Sequence, residues 1–129
     1  MPAFLHTVES TKPFEETVRA VEQRTAEKGF RVLYTHDVSS TLAEKGFARE
    51  PMKIIEICNA RYASEALKKD VRLAVMLPCP ICVYVEHGKT FINTFLPSAI
   101  PSFFPEADLE SLAAEVSRIV LEIINEARG

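Results

Sequence analysis

The tetrapeptide Glu86-His87-Gly88-Lys89 constrains the fold of this chain more than any other feature. A short polar bridge containing glycine closes a tight turn, and the runs on either side, 81–86 and 90–96, are rich in β-branched and aromatic residues. The pair reads as an antiparallel hairpin. With a hairpin in place, a sheet that is parallel throughout is excluded, and the remaining elements must cover an antiparallel sheet.

Residues 3–8 read as a short strand, with Phe4, His6 and Val8 on one face. Ser10-Thr11-Lys12-Pro13 then starts a helix, hydroxyl residues supplying a cap, Pro13 the first helical position and Glu15 and Glu16 the acidic first turn. Phe14, Val18, Val21 and Thr25 recur at helical spacing up to Gly29. Residues 30–37 alternate as a strand, with Phe30, Val32 and Tyr34 against Arg31, Leu33 and Thr35. A short helix follows Asp37 and ends in Ala43-Glu-Lys-Gly-Phe47, the pentapeptide already present at 26–30. The flanks of the two copies differ, so the duplication reads as two helices ending in the same way, lysine near the negative end and glycine after it.

Residues 52–58 form a third strand, Lys53, Ile55 and Ile57 facing one way and Ile54, Glu56 and Cys58 the other. Asn59 and Ser64 flank a helix carrying Ala63, Ala66 and Leu67. Residues 71–77 and 98–105 read as loops, the second packing Phe103 and Phe104 between prolines. From Asp108 as cap, Leu109, Leu112, Ala113, Val116, Val120, Ile123 and Ala127 mark the apolar face of a long closing helix. Leu121 stands about 120° from that stripe and is a candidate contact for a partner chain. The fold class that results is α+β: a single domain, residues 1–129, with an antiparallel sheet carrying its helices on one face.

A net charge of -3 and a pI of about 5.6 give no reason to expect nucleic acid or an anionic membrane as a partner. No stretch approaches the roughly 18 apolar residues that span a bilayer, and the opening Met-Pro-Ala-Phe-Leu-His-Thr lacks the plan of a signal peptide. With three cysteines, which cannot all pair within one chain, a reducing cytoplasm is the expected compartment.

Two of those cysteines, Cys79 and Cys82, sit three residues apart in a proline-rich segment that runs into a strand. A thioredoxin-type site needs the first thiol at a helix N-terminus, and Val83-Tyr84-Val85 offers none. In an extended segment the two thiols face opposite ways with their Cα atoms about 10 Å apart, beyond the reach of a disulfide. Cys58 is the better partner for Cys79, since one ends a strand and the other begins one. Such a pair suits a soft metal, a reversible disulfide or a persulfide, with His36 and His87 as further metal ligands. The alternative is that Cys58, Cys79 and Cys82 are small buried hydrophobes. Cys82, Glu56 and Glu86 are weaker site candidates, the glutamates through their place beside thiols on strands. No nucleophile triad, phosphate loop or His-x-x-x-His spacing is present.

Ile57-Cys58-Asn59-Ala60, Met76-Leu77-Pro78-Cys79 and Val83-Tyr84-Val85-Glu86 together resemble the DUF302 family of small bacterial and archaeal proteins. So does the opening, from Phe14-Glu15-Glu16-Thr17 to Ala26-Glu27-Lys28-Gly29-Phe30. The chain carries Ala60 where the family has proline and Pro80 where it has a basic residue, and Cys82 is an addition. The resemblance implies a TBP-like β-α-β4-α fold, often a homodimer, and no settled activity or cofactor. Three readings follow: a dimeric module binding a metal, a sulfur species or a small ligand near Cys58 and Cys79; a thiol redox or sulfur-carrier protein using Cys79 with Cys58; or a structural domain whose cysteines are inert.

Overall fold

The structure, a computed structural model, describes residues 2–129. Strand β1 (Leu5–Glu9) leads to helix α1 (Phe14–Glu27), strand β2 (Arg31–Asp37) and the short helix α2 (Val38–Glu44). Strand β3 (Met52–Cys58), helix α3 (Ala60–Lys69), the hairpin strands β4 (Cys79–Glu86) and β5 (Lys89–Phe95), and helix α4 (Glu110–Ala127) complete the order. Two 3-10 segments, Val71–Met76 and Pro97–Phe103, stand where loops are expected from the sequence. All strand pairs are antiparallel, in the spatial order β1-β5-β4-β3-β2.

The hairpin is the centre of this sheet. His87 and Gly88 take φ of 54° and 77°, the two left-handed residues of a type I′ turn, whose twist matches the strands. Both carboxylate oxygens of Glu50 accept from the turn, His87 N at 2.9 Å and Gly88 N at 3.1 Å.

Alternation then divides the sheet into two faces. Ile55 and Ile57 of β3, Ile81 and Val83 of β4 and Ile92 of β5 point inward and are sealed from solvent. Val18 and Val21 of α1 and Val120, Ile123 and Ile124 of α4 meet them in one core. Each such side chain contributes roughly 1.5–3 kcal/mol by leaving water. Lys28 ties the two covering helices together, reaching Glu122 at 3.2 Å and Glu126 at 2.7 Å.

The repeated pentapeptide serves one local purpose in both places. Phe30 N donates to Thr25 O and Gly29 N to Ala26 O; Phe47 N donates to Leu42 O and Gly46 N to Ala43 O. Each is a Schellman motif with its glycine left-handed, at φ 81° and 85°. Tertiary context separates the copies, since Phe30 is buried and Phe47 is 66% exposed.

Four expectations need correction. In β2 the ladder shifts between Val32 and Tyr34, so Leu33 is a bulge and Tyr34 turns outward, 60% exposed, away from the face of Val32. Helix α1 starts at Phe14, and Pro13 precedes it without a side-chain cap. There the Ser10 hydroxyl bonds Thr17 at 2.7 Å and accepts from Lys12 N at 3.1 Å. Asp108 does not cap α4; it takes φ 54°, and Leu109 holds the cap position. Ser64 lies inside α3, which Asn59 caps by accepting from Tyr62 N at 3.1 Å.

Candidate functional site

Inward apolar packing is incomplete at one end of the sheet. Strand ends β3 and β4, helices α3 and α4 and the two 3-10 segments line a half-open cavity of about 70 Å³. Phe30, Tyr62, Leu73, Ile100 and Ala113 supply walls, and Cys79 and Cys58 both border it. Its position follows from the sequence. Ala63 and Ala66 of α3 and Ala113 of α4 are short side chains set among the larger Tyr62, Leu109, Leu112 and Val116. Short side chains on two helices that stand apart leave a gap that the 3-10 segments only roof.

Cys79 is 8% exposed, and burial, with a smaller contribution from Cys58, pushes its thiol up to about 11. Burial also raises Cys58, which remains half-buried at the end of β3. At neutral pH the Cys79 thiol is therefore an uncharged, polarisable wall group, not a nucleophile. The ladder sets Cys79 opposite Ile57, so Cys58 is one residue out of step with it. A disulfide between positions one step apart asks their Cβ atoms to converge from alternating directions. The three cysteines are all free thiols.

The other candidates lie elsewhere. Strand alternation sends Cys82 to the open face, between Ile54 and Asn93 in the ladder. Burial raises its thiol while Arg49 opposes the shift. Glu56 is also on the open face, its Oε1 3.0 Å from His36 Nε2, and Glu86 ends β4 opposite Lys89. His87 is a turn residue. Among the described residues, no group of three or more His, Cys, Asp or Glu side chains is placed to hold a metal ion. No described helix is long and apolar enough to cross a membrane. The sequence marked both thiols of the cavity but missed Tyr62, Leu73 and Ala113, because helical spacing shows an apolar face and not the gap between two of them.

The family model described as "Domain of unknown function DUF302" matches residues 6–127. Among solved structures, the "Crystal structure of uncharacterized conserved protein DUF302 from Bacillus stearothermophilus" is similar over 98% of this chain and 100% of that one. The two share 29% sequence identity, with a TM-score of 0.92. Among curated proteins, no relative matches.

Proposed function

The chain belongs to the DUF302 family, and from that premise we propose that it is a binding module which takes a compact apolar group into the cavity beside Cys79. The supporting observation is the cavity itself, about 70 Å³ bordered by side chains such as Phe30, Leu73, Ile100 and Ala113. An apolar cavity stays dry, and an engineered one of about 150 Å³ binds benzene or xenon. The smaller volume here suits a short alkyl group, whose binding would restore dispersion contacts that the lining now lacks. Cys79 adds a soft sulfur surface without charge. The test is a xenon titration of the intact protein followed by amide NMR. Shifts clustered on Tyr62, Leu73, Cys79 and Ala113 support the reading; shifts scattered over the surface overturn it.

A second copy of the chain is the proposed partner. The open sheet face presents Leu5, Ile54, Pro80, Tyr84, Phe91 and Phe95, all half-buried, with Tyr84 stacked on Phe91 at 5.5 Å between ring centroids. Five strands spaced 4.8 Å apart give it a projected area on the order of 500 Å². A face of that size is smaller than the roughly 800 Å² that each partner gives a standard interface and suits a weaker, concentration-dependent dimer. Sedimentation equilibrium showing a monomer at all concentrations would remove this part of the proposal.

A further inference from the structure

One polar cluster stands apart from the cavity, at the β2 margin of the open face. His36 and Glu56 come from neighbouring strands, and together with Val38, Thr41, Leu42 and Ile54 they line a groove of about 410 Å³. The Tyr34 ring packs edge-on against the His36 imidazole, with centroids 4.6 Å apart, which limits the rotation of that ring. His36 Nε2 and Glu56 Oε1 stand 3.0 Å apart.

We propose that His36 and Glu56 form a two-ligand site for a divalent first-row transition metal ion, held over the apolar floor of this groove. Geometry carries the assignment. Metal–nitrogen and metal–oxygen bonds of about 2.1 Å at a right angle put their donor atoms about 3.0 Å apart. The two groups are in ion-pair contact with each other, and an ion entering between them would replace that contact at nearly the same donor spacing. An imidazole with a carboxylate suits zinc, nickel or copper, whereas calcium and magnesium prefer oxygen ligands alone. Both side chains are partly exposed, at 46% and 32% of their side-chain surface, so binding requires little desolvation of the ligands. The twisted sheet holds both backbones, and the coordination positions not filled by protein open into the groove. Water would fill them on a bound ion, and a small anionic or carbonyl-bearing molecule could replace it.

Nickel titration of the untagged full-length chain, mapped by paramagnetic broadening of amide and imidazole signals, tests this directly. Broadening centred on His36, Glu56 and Ile54 is expected. The apparent affinity should fall about tenfold or more in both His36→Gln and Glu56→Gln, and should survive His87→Gln. Broadening centred on His87 or spread over the surface carboxylates overturns the proposal, and so does an unchanged affinity in Glu56→Gln. The wild-type map decides the location even where a variant folds poorly.

Discussion

Cys79 lies directly across the β3–β4 ladder from Ile57, one residue out of step with Cys58. The offset places the two thiols beside a common cavity while keeping them out of line for a bond. Thiol chemistry at Cys79 should accordingly be suppressed in the native state. Alkylation with iodoacetamide at pH 8 should label Cys58 first and leave Cys79 unmodified until denaturant is added. Rapid native labelling of Cys79, read by mass spectrometry, would contradict the assignment of this thiol to the wall.

The raised Cys79 pKa links folding to alkaline pH. An acid whose folded pKa exceeds its unfolded value holds its proton more firmly when native, so the unfolded chain ionises first. The associated stability is complete below the ordinary value of 9.0 and declines as pH climbs toward about 11. A shift of that size corresponds to about 2–3 kcal/mol. Urea unfolding of wild type and Cys79→Val across pH 8–11 should show wild type losing stability more steeply, by that order.

Filling the cavity should compete with its ligand. Ala113 is 8% exposed and borders the space, so Ala113→Val adds two methyl groups where a gap now stands. The variant should unfold at equal or higher urea concentration, within about 1 kcal/mol of wild type. It should also lose the xenon-induced shifts. A destabilised variant with xenon binding intact would place the gap elsewhere.

Opposite behaviour is expected of Glu50 and Gly88. Glu50 is held below the usual carboxylate range by the Gly88 and His87 amides, so its hydrogen bonds to the turn are present above its ordinary value of 4.5 and fade as pH falls below it. Glu50→Gln should speed hydrogen exchange at His87 and Gly88 without altering exchange at Ile81 or Ile92. Gly88→Ala meets no neighbour within 4 Å but must keep φ 77°, costing about 1 kcal/mol from backbone strain alone. Denaturation curves measure that difference.

Asp70 offers a second acidic linkage. The Arg72 guanidinium and backbone N–H hold its carboxyl down to about 2. Its contribution to ordering the Val71–Met76 segment is therefore complete above the ordinary value of 3.8 and is lost as pH falls toward 2. Asp70→Asn should make exchange at Arg72 and Leu73 faster at neutral pH, which amide NMR reads.

Sequence reasoning reached the sheet because hairpin, alternation and helix-stop signals are local. Gly88, Gly29 and Gly46 announce their conformations within four or five residues, and the inward rows from Ile55 to Ile92 follow from a period of two. It failed where distant partners decide. Tyr34 continues the apolar alternation of Phe30 and Val32, yet the shift at Leu33 reverses its direction, and nothing within β2 signals the extra residue. The 3-10 segments escaped for a similar reason, since Val71–Met76 is too short for periodicity and is fixed by Asp70 and by packing over the cavity. The site was half legible. Cys58 and Cys79 stood out by type, whereas their one-residue offset depends on a pairing that only the assembled sheet defines.

The bulge at Leu33 also bears on what this protein avoids becoming. β2 is an outer strand of the sheet, with one side of its backbone unpaired by any other strand. A flat border of that kind is a template on which further strands can add without limit, the first step toward fibrils. An inserted residue bends the row of amides and carbonyls so that an incoming segment cannot match it over its length. Deleting Leu33 would straighten that border, and the variant should seed thioflavin-positive aggregates under conditions where the parent chain stays dispersed.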